Sequence, residues 1–505
     1  MLDRQGVNMF SLLTKDEPKG TVRVSYTLLS DLNINRILNL VTAGLGDEVK
    51  KLYGTFPADE EEAAYRRAVF ADIKKEGVAD IFDAFQDKLD EWAACKEKKE
   101  KFDLSLQQCV WYVREVYAYI SAVELLKEKL PATNPESEGM KGLLSLLDEY
   151  TGSEDYRSLK QTVTALYEEL MEFRVKVIYT REKFVITEGT GSGAYQEALT
   201  KNFDVKDAVF KNPFLNDINA SEIEYETAKL LMKRNKAFAE WVEAFWVNAK
   251  EYVNEDILLL KKEVTFYTAY YRFMTDMQKN GHVFTAGVTE GDKFSVYGLY
   301  DLALACAYSV NGDNEVIPND AELKEGESFF VVTGPNQGGK TTFARSLGQM
   351  VFFYKMGLDV PAKKAVLPFF GSLMTHFSVE ESTATGRGKL MDELERLKPI
   401  MEKRETNAFV VINELFTTAA HLDACQMGEK VLKYLIGEGA KGTYVTHLNE
   451  LTEVDPAVVS LAAKLDENLN RTFKIVRKEA QEYVGVDKLT EKYGLTYGQI
   501  KERLA

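Results

Sequence analysis

The chain has 505 residues, of which 45% are hydrophobic and 28% charged, a composition typical of globular proteins. This length exceeds what one hydrophobic core supports, so we expect about two to four domains. With a net charge of −16, the chain lacks the overall basic charge of many nucleic-acid binders. A local basic strip is still compatible with an acidic chain. No apolar run is long enough to cross a bilayer and the N-terminal segment lacks a signal peptide's apolar core, so we expect a cytoplasmic protein without membrane contact.

The four cysteines lack the spacing of metal ligands or redox pairs, which favours free thiols in a reducing compartment. The four histidines form no ligand pair at helical spacing, so we expect no structural metal site.

Residues 1–214 are predicted to be mostly helical. Partial alternation in Thr21–Leu29 predicts a short strand, and helices rich in Glu, Lys and Ala follow from about Asp59 to Leu130. A break at Pro131–Gly139 precedes further helix. Alternation in Arg174–Gly189 then predicts a β-hairpin.

The stretch from Leu215 to Asn280 contains neither proline nor glycine, and its apolar residues recur at helical spacing. This pattern predicts one long helix or a helix pair with a break at Val253–Asp256, which we assign to residues 215–283. Packing against neighbouring helices is the expected role of its aromatic residues, with nucleobase stacking as the alternative.

The stretch Phe329–Thr342 predicts a phosphate-binding loop. Four apolar residues predict a buried strand; Gly334, four further residues and then Gly339-Lys340-Thr341 follow, ahead of a predicted helix. Glycines let phosphate approach the backbone N–H donors, and the helix adds the positive end of its dipole. Lys340 would contact the β- and γ-phosphates, and the Thr341 hydroxyl is the expected Mg²⁺ ligand. The predicted loop contacts are Gly334, Pro335, Asn336, Gln337, Gly338, Gly339, Lys340, Thr341 and Thr342.

From about Phe284 onward, strands alternate with helices, which predicts an α/β domain with an open, mostly parallel sheet. The apolar strand ending at Ile412 is followed by Asn413 and Glu414, and we assign Glu414 to polarise the attacking water. Asn413 stands where an aspartate usually holds the metal, so either Mg²⁺ binds more weakly or Glu414 shares that role. The next strand ends at His447, which is expected to contact the γ-phosphate or the water, with a structural histidine as the alternative.

Together these segments resemble the ATPase domain of the MutS mismatch-repair family. The resemblance covers about Gly298 to Leu504. It is carried by GPNQGGKTT, by VPA at Val360–Ala362, by the acid after a hydrophobic strand and by YVTHLNEL. Ile317–Asp320 resembles the family's nucleotide-flanking segment, and Thr472–Ile475 its C-terminal end.

The resemblance implies an α+β multidomain fold: a helical core domain in residues 1–214, a lever in 215–283 and an ABC-type P-loop NTPase domain in 284–505. It implies ATP and Mg²⁺ as cofactors, Ile317 as a further nucleotide contact, a homodimer with composite ATP sites, and DNA as a partner. The implied catalytic residues are Glu414, His447 and Lys340, and the implied metal ligands are Thr341, Asn413 and Glu414. We expect no room in this sequence for the family's mismatch-recognition domain, and by hypothesis the hairpin at 174–189 is the remnant of a DNA clamp.

In this family each ATP site takes a signature segment from the partner subunit, which corresponds by position to Thr385–Leu394. The family's serine is replaced by Gly388, so the trans contact would fall to Arg387, Lys389 or the Gly388 N–H. The alternative is that these cations form a solvated helix start.

Three functions therefore stay open. The first is an ATP-driven dimeric switch that binds DNA. The second is a scaffold or protein-interaction ATPase without DNA binding, which the acidic charge favours. The third is a nucleotide-binding module without turnover, which Asn413 and Gly388 favour.

Overall fold

The computed structural model describes residues 10–15, 22–102, 105–172, 175–179, 184–188, 208–211, 221–234, 236–248, 251–311, 315–378, 389–402, 407–468, 470–478 and 497–504. The chain divides into two compact units. The first unit comprises Met1–Leu12 and Asp72–Thr268, and the second comprises Leu13–Ala71 and Ala269–Ala505.

The helices in the described residues are α1 (Tyr26–Asp31), α2 (Ile34–Val41), α3 (Asp47–Leu52), α4 (Glu60–Ile73), α5 (Val78–Glu100), α6 (Ser105–Lys129), α7 (Glu138–Gly152), α8 (Glu154–Glu172), α9 (Ser221–Arg234), α10 (Lys236–Asn248), α11 (Glu255–Lys279), α12 (Leu302–Asn311), α13 (Lys340–Lys355), α14 (Lys389–Glu402), α15 (His421–Gly437) and α16 (Tyr497–Leu504). Short 3₁₀ helices lie at Leu130–Thr133 and Asn449–Glu453. None of these helices has the length and apolar character needed to span a bilayer.

The strands are β1 (Val22–Arg23), β2 (Thr55–Phe56), β3 (Val175–Tyr179), β4 (Phe184–Glu188), β5 (Ala208–Lys211), β6 (Phe294–Leu299), β7 (Asn319–Leu323), β8 (Phe329–Thr333), β9 (Lys364–Val366), β10 (Ser372–Phe377), β11 (Ala408–Asn413), β12 (Lys441–Val445), β13 (Val458–Leu465) and β14 (Arg471–Arg477).

The first unit is mainly helical and includes a three-stranded antiparallel sheet, in which β3 lies between β4 and β5. Strands β3 and β4 occupy the stretch for which a hairpin was predicted. A buried hydrogen-bond network joins the helices around Tyr252. The Tyr252 hydroxyl donates to Glu115 Oε1 at 2.5 Å and accepts from Trp92 Nε1 at 2.9 Å. Because such groups are costly to bury unpaired, this network specifies how the helices pack.

The proline-free stretch after Leu215 is not one continuous helix. Residues 251–254 are non-helical, and α11 begins at Glu255. The Asn254 side-chain oxygen accepts from the Asp256 N–H at 2.8 Å, and the Asn254 N–H donates to the Tyr119 hydroxyl at 2.9 Å. Of the two alternatives, the single helix is wrong, because these hydrogen bonds hold the chain in a turn next to the predicted break.

The predicted strand at Thr21–Leu29 is also wrong for most of its length. Only Val22 and Arg23 form a strand, and α1 begins at Tyr26. The Ser25 side-chain oxygen accepts from the Leu28 N–H at 3.1 Å, so Ser25 caps the helix. An N-cap of this type stabilises a helix start by about 1 kcal/mol, which outweighs weak alternation.

The second unit contains a six-stranded sheet of order β10-β11-β12-β8-β13-β14. Neighbouring strands from β10 to β13 pair in parallel, and β14 pairs antiparallel with β13. Strands β8 and β11 are buried along their whole length, as expected for parallel strands covered on both faces. Smaller antiparallel sheets are formed by β7-β6-β9 and β1-β2. The protein is therefore a mixed α/β structure whose main sheet is largely parallel.

The loop between β8 and α13 has a left-handed backbone at three positions. The φ angles are 121° at Gly334, 60° at Gln337 and 92° at Gly339. A Cβ atom on Gly334 would lie 3.0 Å from the Ala463 Cβ, and one on Gly338 would lie 2.9 Å from the same atom. The loop shape therefore depends on glycine for both conformation and space.

Replacing Gly334 or Gly338 with alanine is expected to lower the free energy of unfolding by about 1–3 kcal/mol, through backbone strain at Gly334 and crowding at Gly338. Gly437 is the matched control, because its Cβ would meet nothing within 4 Å. The Gly437→Ala variant should unfold at the same or a higher urea concentration than the parent. Equal urea midpoints for all three variants would contradict this account of the loop.

A buried histidine makes the stability of the second unit depend on pH. His376 in β10 is fully buried, and its Nε2 lies 3.1 Å from the backbone oxygen of Glu393. Its Nδ1 has no hydrogen-bond partner among the described residues. Burial disfavours the charged imidazolium and lowers the pKa of His376 from 6.5 to about 4.

Lowering the pH from 6.5 to 4 is expected to cost about 3 kcal/mol of unfolding free energy through His376. The unfolded chain takes up the proton first, so the contribution is intact above pH 6.5 and lost as the pH falls towards 4. The His376→Gln variant cannot ionise, so the difference between the two urea-unfolding profiles isolates this residue. Parallel profiles over this range would rule the effect out.

Candidate functional site

Lys340 begins α13 and is buried at the base of the loop. Its Nζ donates to the backbone oxygens of Gly334 at 2.7 Å and Pro335 at 3.1 Å. Burial lowers the pKa of Lys340 from its ordinary 10.5, and the nearby carboxylate of Glu414 acts in the opposite direction. The ammonium group is thus held inside the loop by two carbonyl oxygens, and a phosphate oxygen would be a stronger, charged acceptor.

Thr341 and Asn413 meet directly. The Thr341 Oγ1 donates to Asn413 Oδ1 at 2.8 Å, which joins the start of α13 to the end of β11. Together with the carboxylate of Glu414, the residue after Asn413, these two side-chain oxygens are the kind of ligands that Mg²⁺ prefers. All three predicted metal ligands therefore lie at one edge of the sheet, and their chemistry fits the ion.

Glu414 and His447 are brought together by the parallel strands that precede them. The Glu414 N–H donates to the Val445 oxygen at 2.9 Å, and the Thr446 N–H donates to the Val332 oxygen at 3.1 Å. The His447 Nε2 lies 3.3 Å from Glu414 Oε1, and both side chains are partly exposed. Glu414 has a φ of 55°, a conformation that costs a non-glycine residue energy and that recurs at functional sites.

A buried carboxylate supports the turn that follows Glu414. Glu393 in α14 accepts from the Phe416 N–H at 3.0 Å, and it lies 3.5 Å from the Thr417 hydroxyl. Phe416 also has a positive φ, of 62°. Glu393 lies within the predicted signature segment, and nothing local in the sequence indicates that its side chain reaches the turn after Glu414.

Phe473 is a site residue that sequence analysis missed. The ring is about half exposed, its φ is 55°, and a Cβ on Gly339 would lie 3.6 Å from it. The Asn319 side chain donates to the backbone oxygens of both Ile317, at 3.3 Å, and Phe473, at 3.2 Å. Asn319 thus links Ile317 to Phe473, whose half-exposed ring lies beside the loop. No aromatic residue precedes the loop at this position in sequence, and only the pairing of β14 brings Phe473 there.

The remaining predicted contacts lie on the loop or outside the described residues. Asn336 and Gln337 are exposed at the loop tip, and Thr342 is partly buried in the first turn of α13. Of the predicted signature segment, residues 385–388 lie outside the described residues, and α14 begins at Lys389.

Part of the chain is similar to a family of known proteins. MutS domain V matches residues 330–499, which contain the loop and both strand ends. The protein named DNA mismatch repair protein MutS from Lactococcus lactis subsp. lactis is 31% identical over 189 residues, covering 36% of this chain and 22% of that protein. Proteins of the same name from Lactobacillus johnsonii and Pseudothermotoga lettingae are 24% and 28% identical, over 48% and 33% of this chain.

The aligned parts span between 20% and 27% of the length of these three relatives. The residues that match MutS domain V include the loop, the Glu414–His447 pair and Phe473. Residues 330–499 are therefore similar to domain V of MutS proteins.

Proposed function

We propose that the protein binds and hydrolyses ATP at the loop 334–342 and uses the nucleotide to drive a dimeric switch that binds DNA. The observation that carries the proposal is the assembly, at one edge of a parallel sheet, of a glycine-rich loop, a buried lysine and a carboxylate–imidazole pair. We also infer that residues 284–505 have the P-loop NTPase fold, with residues 1–214 as a core domain and 215–283 as a lever.

In the proposed site the loop amides and Lys340 bind the β- and γ-phosphates. Lys340 would exchange its hydrogen bonds to Gly334 and Pro335 for phosphate oxygens, and the gained charge pairing would offset the cost of its burial. Thr341 and Asn413 would hold Mg²⁺, which neutralises phosphate charge when bound. Because Asn413 is uncharged, the Glu414 carboxylate would supply the anionic part of the metal site.

The proposed catalytic step rests on Glu414 and His447. The Glu414 carboxylate would accept a proton from, or orient, the water that attacks the γ-phosphorus. His447, at hydrogen-bond distance from Glu414, would orient the carboxylate and donate to a γ-phosphate oxygen. Ile317 and the exposed Phe473 ring would contact the base, since aromatic faces stack on nucleobases with about 1–3 kcal/mol per base.

The proposed DNA role and dimer rest on the named relatives and on the match to MutS domain V. Binding would occur through phosphate contacts of local basic residues, since the chain as a whole is acidic. The order of events would be ATP binding, closure of two subunits across the sites, and reset by hydrolysis.

The Lys340→Ala variant is expected to lose ATP turnover, because Lys340 is the only charged residue among the predicted phosphate contacts of the loop.

The Glu414→Ala variant is expected to bind ATP, to have a kcat lower by about 10²-fold or more and to accumulate as a closed dimer. Phosphate release and sedimentation with ATP measure these effects.

Matched controls are the exposed residues Lys430 and Glu438 in the second unit, whose alanine variants should retain parental rates. If Glu414→Ala hydrolyses ATP at the parental rate, the catalytic assignment fails.

The Phe473→Ala variant, tested in an ATP-binding titration, should bind ATP about tenfold more weakly than the parent if the base stacks on Phe473.

DNA binding is expected to depend on both salt and nucleotide. Filter binding with mismatched, branched and single-stranded DNA should give an affinity that falls linearly with the logarithm of salt concentration. Addition of ATP should change the affinity of the parent but not that of Lys340→Ala. An active ATPase that binds none of these DNAs at low salt would favour the scaffold function instead.

A further inference from the structure

A cluster of metal-ligand side chains lies on the second unit, apart from the loop. His421 is the first residue of α15, and Cys425 lies one turn later on the same helix face. Glu450 reaches them from the 3₁₀ helix Asn449–Glu453. The His421 Nδ1 is 3.8 Å from the Cys425 Sγ, and the His421 Nε2 is 3.1 Å from Glu450 Oε1. Each of the three residues offers one possible ligand atom, and these three atoms lie within 4.8 Å of one another.

The cluster combines three different donors rather than carboxylates alone. A thiolate and an imidazole suit borderline-soft cations such as Zn²⁺, whereas Mg²⁺ and Ca²⁺ take oxygen ligands. Atoms that already lie within 4.8 Å need only small side-chain rotations to reach ligand separations around one ion. The side chains of His421 and Glu450 are more than half exposed, which gives an ion direct access.

A cation bound at the cluster would have to displace the proton of the Cys425 thiol. Partial burial and the adjacent Glu450 carboxylate both raise the pKa of the Cys425 thiol. A thiolate and a carboxylate side by side repel each other, and a divalent cation would remove that repulsion and balance both charges. Without a metal, the partial burial of Cys425 and the adjacent Glu450 carboxylate both disfavour a reactive thiolate.

We propose that His421, Cys425 and Glu450 bind one Zn²⁺ ion, with the fourth tetrahedral position open to water. Such an ion would connect the segments that follow Glu414 and His447, the two residues proposed for catalysis. Helix α15 follows the turn that carries Glu414, and Glu450 lies in the segment that follows His447. The bound metal would thereby hold these segments at a fixed spacing. The sequence alone does not indicate this grouping, because Glu450 lies in a different segment of the chain from His421 and Cys425.

Cobalt titration of the nucleotide-free full chain tests the proposal, since Co²⁺ reports thiolate ligation through a charge-transfer absorption that oxygen sites lack. One Co²⁺ per chain should bind and give this absorption, and Zn²⁺ should displace it. Cys425→Ser should abolish the band, whereas His421→Ala and Glu450→Gln should weaken cobalt binding by about tenfold or more. All three side chains are at least partly exposed, so these variants are expected to keep the parental thermal midpoint.

Glu429→Gln, one turn further along α15, is the matched control and should titrate like the parent. The proposal fails if the parent shows no charge-transfer band with cobalt in modest excess, or if the band persists in Cys425→Ser. Neither readout involves ATP, so the result stands apart from the outcome of the turnover assays.

Discussion

The in-register parallel pairing of β8, β12 and β11 is the constraint on which the candidate site depends. Val332 pairs with Val445, and Val445 pairs with Asn413, so the three strands end at the same level. The residues that follow, which include Glu414 and His447, then leave the sheet from one edge. A shift of register by one residue would send Asn413 to the opposite face and separate it from Thr341. Backbone ladders, rather than the polar contacts themselves, therefore set the spacing of the site.

The parts of the site that could be predicted are those encoded in adjacent residues. A strand, a glycine-rich turn and a helix follow one another within Phe329–Lys355, and local patterns suffice to identify them. The same holds for polar residues that end an apolar strand, such as Asn413 and Glu414. The sequence also indicated that these strand ends would meet, since parallel strands share an edge.

What could not be predicted arises from pairing between distant segments or from single hydrogen bonds. Phe473 reaches the loop only through β14, and Glu393 reaches the turn at Phe416 from another helix. At Thr21–Leu29 the capping side chain of Ser25 favours a helix over the predicted strand. At residues 251–254 hydrogen bonds around Asn254 hold a turn where the composition is compatible with a continuous helix. At Ser25 and Asn254 the deciding hydrogen bond is worth about 1 kcal/mol, which is too small for a composition pattern to resolve.

The position of β8 in the sheet has a consequence for dynamics. It lies between β12 and β13, so its backbone amides and carbonyls are paired on both sides. Local opening events that expose amides to solvent exchange begin at edges and termini, and interior strands open last. The loop from Gly334 to Gly339 is therefore attached to one of the most slowly exchanging parts of the second unit, while its own tip is exposed. Rearrangement around a ligand can then be confined to the loop, without loosening the sheet that anchors it.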